Sequence, residues 1–510
     1  MNIVYAIKIF TALTILVVVA RMVVGPGLKL VLSPRDWSVA WWGIVGTLAV
    51  SCFSVTPLLF FVALSIWVLL LSKRIDKDGG GRLPVYALLC CVTPPFTARL
   101  EHIGPLNDLL LLSPFRILAI FLLVPEAVRQ LTLRSKGKSP PWLIVCDLAV
   151  YAFNIYWLMR IYGQGSLTSI ARATIGQALD TIVPYYVITR ACADGDVRRR
   201  FFGFLLLGSA YEAIVAIAES GSKHYLYSQL QWLYGVSFGQ ATNLVRGGWL
   251  RAVAAFPGPL ALAMLLMFAI GLWFVLRPEL KSRAYRTVLL CLLVGMVATF
   301  GRGPLLAALV MLASLVLLRR MSATKYLVLM IVGCVVASAA WKAGLGEWVV
   351  SLLGQVPGTD ETADFNVIYR QRLLTESLAL IEQSPWWGVP NYSDQLADLR
   401  QGEGIIDLVN TYLVITLNVG AVGLFMYVMP FVVSLWRGAR GKPVTDTALR
   451  REGTVWLALT VGVLMAIFTV SPITIVQPII IWTAALAIGR MLELHRAQPS
   501  PVMFGQPVSA

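Results

Sequence analysis

The sequence predicts an all-α fold: a polytopic transmembrane helix bundle of about 12–14 spans with a large, partly helical loop on the non-cytoplasmic side. Three observations predict it. The chain of 510 residues is 58% hydrophobic and only 13% charged, about half the charged share of a soluble domain. Apolar runs recur from Ile3 to Leu492, where a single anchor would leave one. Lys and Arg gather in short clusters between those runs, the pattern of loops retained in the cytoplasm.

Runs able to span lie at 3–23, 38–55, 57–72, 83–98, 111–128, 142–162, 168–190, 200–219, 256–276, 287–301, 303–319, 325–341, 407–436, 453–471 and 476–491. Each is read as a helix, because lipid offers backbone groups no partner. No alternating pattern suggests a barrel. Runs 38–55 and 57–72 meet at Pro57 as a tight pair or one bent element. The first run lacks a basic leader and a cleavage site and is expected to be a retained span.

Orientation follows from five loops. Residues 129–141, 190–200, 277–286, 319–325 and 437–451 carry the basic clusters, and an even number of spans separates each from the next. All five can therefore be cytoplasmic at once. The N-terminal side depends on the count: fifteen spans put Met1 outside and fourteen inside. The expected organisation is membrane spans over 1–341, a large outer loop over 342–406, further spans over 407–492 and a flexible cytoplasmic tail over 493–510.

Loop 342–406 holds nine acidic and four basic residues, a net negative segment in a chain of net charge +16. Within it, 366–383 places Leu373, Leu374, Leu378, Leu380 and Ile381 at helical spacing, ahead of SPWWGVP. The prediction is a helix near the membrane surface with Trp386 and Trp387 at the interface. The basic excess does not indicate nucleic acid, since no soluble domain presents a basic face. The seven cysteines lie in or beside apolar runs, which suits packing and excludes a disulfide framework or CxxC metal site.

Three arginines at the outer side stand out: Arg251 before the run at 256, Arg302 in TFGRGP between two runs, and Arg370 on the loop helix. Guanidinium forks suit diphosphate capture. Equally, each could snorkel to the interface. Glycines on both sides of Arg302 either bring backbone amides to an anion or make a tight turn. Asp180 and Glu212 fall inside spans, where structural pairing between helices is favoured over a proton relay. Glu403 and Asp407 lie four apart where the loop re-enters the membrane, as an acceptor-hydroxyl base or as charges at a helix start. The three histidines form no metal-ligand pair.

Four stretches in order resemble the O-antigen ligase and O-antigen polymerase superfamily of membrane glycosyltransferases. RAVAAFPGPLAL (251–262) is similar to its arginine and Pro-x-Pro entry to a span. TFGRG (299–303) is similar to its SRG turn, with Gly301 for serine. RQRLLTESLALIEQSPWWG (370–388) is similar to its Arg–helix–Pro-x-x-Gly stretch. VNTYLVITLNVGAVG (409–423) matches its spacing at Asn410, Gly420 and Gly423. The resemblance covers roughly residues 245–436.

The resemblance implies a glycosyltransferase of the bacterial inner membrane; no cofactor is expected, and because the outer loops offer no metal site, a metal-free reaction is expected. Its donor would be a polyprenyl-diphosphate-linked glycan and its acceptor another glycan or a lipid-linked one. Loop 342–406 would be periplasmic. It also implies that Arg251, Arg302 and Arg370 hold the diphosphate. Val409 stands where the ligase branch has its histidine, and valine cannot take a proton. The base then falls to a carboxylate, with Asp364, Glu403 and Asp407 as candidates. Two other readings stay open: a flippase for lipid-linked oligosaccharides, and a non-catalytic partner of other polysaccharide-assembly proteins.

Overall fold

Each apolar run picked out in the sequence contains helix in the computed structural model, though several helices end short of the run, as at Val92 within 83–98 and Ala466 within 453–471. The structure describes residues 3–75, 80–99, 111–132, 139–163, 165–235, 244–246, 248–276, 282–340, 361–400, 406, 408, 410–440, 447–471 and 476–496. At 75, 99, 333–340, 361–368, 370, 440 and 447–450 it describes the backbone alone. In chain order the helices are α1 (Ile3–Val23), α2 (Pro34–Phe53), α3 (Pro57–Ile75), α4 (Arg82–Val92), α5 (114–132), α6 (Pro141–Tyr162), α7 (167–191) and α8 (Gly195–Ser222). They continue as α9 (Pro259–Leu276), α10 (Arg283–Ala298), α11 (Arg302–Arg320), α12 (Ala323–Ala340), α13 (Glu361–Gln383), α14 (Thr411–Arg440), α15 (Thr447–Ala466) and α16 (Val476–Arg496). The chain is an all-α polytopic bundle.

Among the described residues eight of these helices are long and apolar enough to cross a membrane by length and composition: α1, α3, α6, α8, α9, α11, α14 and α16. α5 and α7 are interrupted by wide π-helical turns at Ala119–Leu123 and Ala178–Ile182. Pro57 separates α2 from α3, so the sequence alternatives there resolve to two helices.

Helix starts are written locally. Ser33, Ser113, Ser166 and Ser282 each accept an amide of their own first turn, from Asp36, Arg116, Ser169 and Ala284. Proline follows at 34 and 114, where its fixed φ suits the first helical position. Three helices form the centre: α8, α9 and α16 are each 89% buried over their most apolar stretch, against 28% for α1 and α6. The exposed apolar faces of the outer helices suit lipid.

The two ends of the bundle are chemically distinct. At one end Arg198 pairs with Glu452 (3.1 Å) and Glu493 (2.7 Å), and Arg200 pairs with Asp36 (2.8 Å). Arg190 pairs there with Asp147. These ties join the starts of α2, α6, α8 and α15 to the ends of α7 and α16. Tyr5, at the other end of α1, donates to Gln229 in the segment between α8 and α9. The N-terminal end of α1 therefore shares a face with that segment, opposite the basic clusters.

The loop helix predicted over 366–383 is α13, and it packs on α14. Tyr369, Leu373 and Leu380 join Leu396, Leu399, Leu408, Leu413 and Leu417 in a small apolar core of their own. Asp180 pairs between helices as expected, with Arg116 (2.7 Å). Glu212 departs from that expectation. Its carboxylate accepts the backbone N–H of Ala255 (3.1 Å) and the Tyr227 hydroxyl (3.4 Å), so it holds a loop and not a second charge.

Candidate active site

The segment carrying Arg251 is held from below by buried acid. Glu219, at the end of α8 and 0% exposed, accepts N–H groups from Leu226 (2.8 Å), Val253 (3.0 Å) and Ala254 (2.8 Å). Ala254 sits at φ +49°, a conformation costly for a residue with a Cβ. The carboxylate gives these turned-in amides the partners that helix or strand would otherwise supply. Ahead of the turn, strands Val245–Arg246 and Trp249–Leu250 pair antiparallel around Gly248 at φ +78°. The hairpin delivers Arg246 and Arg251 to the same place.

That place is the turn between α10 and α11. Arg251 Nε donates to Thr299 O (3.2 Å), Arg246 Nη1 to Phe300 O (3.2 Å), and Ala252 N to Ala298 O (3.0 Å). Phe300 is also left-handed, at φ +49°. Thr299 Oγ1 accepts the N–H of Gly301 (3.2 Å) while donating to Met296 O (2.7 Å). Gly301 then caps α11 without a side chain, and Arg302 is the first helical residue, exposed. Among the described residues no acceptor is bonded to the amides of Arg302 and Gly303. An open helix start beside guanidinium groups attracts anions.

Gly303 is needed for a close contact. A Cβ there would lie 2.1 Å from Thr469 Oγ1, beyond the end of α15. Residues 466–471 in turn bind the start of α14. Thr411 donates its N–H to Ile467 O (2.8 Å) and its hydroxyl to Val470 O (2.6 Å), and Ser471 Oγ donates to Leu408 O (2.7 Å). Asn410 caps α14, its Oδ1 accepting the Leu413 amide (3.2 Å). Arg302 and Asn410 thus sit on either side of one short connector.

α14 is broken, which the unbroken apolar run 407–436 did not reveal. Gly420 has φ +66° and ψ −170°, a conformation nearly reserved for glycine. The break frees backbone groups on both sides, and residues 385–389 meet them. Ala421 N donates to Pro385 O (2.8 Å), Val422 N to Trp386 O (3.3 Å), and Val389 N to Leu417 O (2.5 Å). Gly388, at φ +75°, faces Gly420 backbone to backbone: a Cβ on Gly388 would lie 2.6 Å from Gly420 N. Arg160 of α6 clamps the same segment through Gly388 O (2.9 Å). Gly423 lies about one turn beyond, where a Cβ would lie 2.2 Å from the Val419 side chain.

The structure therefore brings Arg251 and Arg302 to one turn and joins Asn410 to it through 466–471. It also brings the Pro-x-x-Gly stretch against Gly420. Arg370 lies on α13 next to Tyr369, which is buried toward α14; its own side chain is outside the described residues, as is that of Asp364. Glu403, Asp407 and Val409 also lie outside the described residues. Sequence reasoning missed Arg246, Arg160 and Glu219. The outer-side rule that singled out Arg251 applies equally to Arg246, whereas Glu219 shows its role only through the three amides it binds.

Residues 287–428 match the family model described as O-Antigen ligase. That stretch, well under half of the 510 residues, is similar to the O-antigen ligase family. The matched stretch runs from α10 into α14 and so contains Arg302, Arg370, Asn410, Gly420 and Gly423, with Arg251 ahead of it. No curated protein matches the chain. The family supports membrane glycan ligation as the general activity.

Proposed function

We propose that this protein transfers glycan from a polyprenyl-diphosphate carrier to an acceptor hydroxyl, as a polymerase or ligase of O-antigen or exopolysaccharide. We place the reaction at the periplasmic face of the bacterial inner membrane. The observation that carries the reading is the convergence of Arg246 and Arg251 on the 299–302 turn that ends in Arg302, at an open helix start within the stretch that matches the O-antigen ligase model.

In the proposed reaction the acceptor oxygen bonds to the anomeric carbon as the bond from that carbon to the carrier diphosphate breaks. The departing diphosphate gains charge on its bridging oxygen. Arg251, Arg302 and Arg370, with the amides of Arg302 and Gly303, stabilise that charge, and fixed donors serve best when already oriented. The acceptor proton passes to a carboxylate, for which Asp364, Glu403 and Asp407 are the candidates. Val409 takes no part in it.

The test is chemical. Deleting the gene and analysing lipid-linked glycans separates the two branches: single repeat units accumulate for a polymerase and long chains for a ligase. Arg302→Lys keeps the charge but loses the planar fork, so it is expected to lose most transfer while inserting and accumulating normally. Full polymer output from Arg302→Ala would remove the diphosphate role.

A further inference from the structure

We propose that the cavity between α5, α6, α7, α14 and α16 binds a neutral sugar ring. The cavity measures about 340 Å³, within the size range of small-ligand sites. It rests on the glycan-transfer reading for the source of the sugar, as one unit of the lipid-linked chain, and on its own walls for the binding.

Two of the helices that border this space are deformed. The π-helical turns at Ala119–Leu123 and Ala178–Ile182 are each followed by a Val-Pro pair, Val124–Pro125 and Val183–Pro184. Proline has no N–H and its ring presses on the carbonyl a turn earlier, so the helix widens there. Such wide turns occur often at functional sites. Here one of them carries Asp180 to the cavity wall.

The wall has a polar and an aromatic side. Arg116 meets Asp180 as a fork, with Nε 3.1 Å from both carboxylate oxygens and Nη2 2.7 Å from Oδ2. Its Nη1 donates to Leu111 O (2.7 Å). The pair is neutral overall and its guanidinium is committed, so the site does not call for an anion. Acceptors remain open. Gln177 spends its amide N–H on Asn154 Oδ1 (2.6 Å), which leaves its own carbonyl oxygen without a bonded donor among the described residues. Asp180 keeps a side chain 32% exposed.

Phe153, Trp157 and Tyr427 form the aromatic side, with ring centroids 5.8 Å apart for Phe153–Trp157 and 5.2 Å for Phe153–Tyr427. A hydrocarbon tail would leave Asp180 and Gln177 unmatched. A sugar ring offers hydroxyls that donate and accept, and an apolar C–H face for the aromatic side.

The experiment uses the full chain in lipid nanodiscs with methyl α-glucoside, methyl α-galactoside and methyl N-acetyl-α-glucosaminide, read by saturation-transfer NMR. At least one glycoside is expected to bind. Ile415→Trp, which fills the cavity from α14, is expected to weaken it at least tenfold. Gln477→Ala removes an amide that lines the cavity from α16 and is expected to weaken it by about three- to tenfold, the loss of roughly one hydrogen bond. Arg302→Ala is expected to leave binding unchanged. Binding of none of the three, or equal binding by both cavity variants, overturns the proposal, as does displacement of the glycoside signal by farnesol alone. Cavity-sensitive binding together with full transfer by Arg302→Ala would sustain this site while refuting the diphosphate reading.

Discussion

Replacing Gly420 by alanine tests whether the broken helix holds the site together. The new Cβ would lie 2.2 Å from Trp386 O and 2.5 Å from Trp387 N, both backbone atoms that cannot rotate away. The conformation at φ +66°, ψ −170° costs a residue with a Cβ about 1–3 kcal/mol. Relief of the clash requires residues 385–388 to withdraw, which breaks the bonds from Ala421 N and Val422 N, each contributing about 1 kcal/mol. The combined penalty is about 3–5 kcal/mol, or a shift of roughly a hundred- to several-thousand-fold toward the undocked loop. Hydrogen–deuterium exchange in nanodiscs reads this at the amides of Val389, Ala421 and Val422, which should exchange faster by that factor up to the limit of unfolding. Gly221→Ala, where a Cβ meets nothing within 4 Å, is the control. Unchanged exchange at all three amides together with unchanged glycan output would refute the interlock.

Three further outcomes are expected. A cysteine at Gly358 should react with an impermeant thiol reagent applied from outside, and one at Gly441 should not; the reverse pattern would invert the proposed orientation. Glu219→Gln presents an amide N–H toward backbone donors, so it should destabilise the 252–256 turn by about 1–3 kcal/mol and lower thermal stability in detergent, with Glu219→Ala worse; equal melting temperatures would show that the three amides find other partners. Of Asp364→Asn, Glu403→Gln and Asp407→Asn, at least one should lose most glycan transfer at normal membrane levels, and full activity in all three would end the carboxylate-base idea.

The amino-acid sequence determined by itself that the chain is a helical membrane bundle, where its helices lie, and which arginines and glycines are distinctive. Those properties are local: apolar run length, a serine or proline at a helix start, and charge clusters between runs. Gly420 and Gly388 were visible as motif positions. That they face each other, and that Gly420 breaks α14, depended on carbonyls more than thirty residues upstream that take over its freed amides. Pro125 and Pro184 were equally plain, but the wide turn before Pro184 became part of a cavity wall only when packing joined Arg116 to Asp180, 64 positions away. Tertiary structure alone decided these features, because a buried polar group selects whichever partner the packed helices bring within reach, and sequence distance sets no limit on that choice.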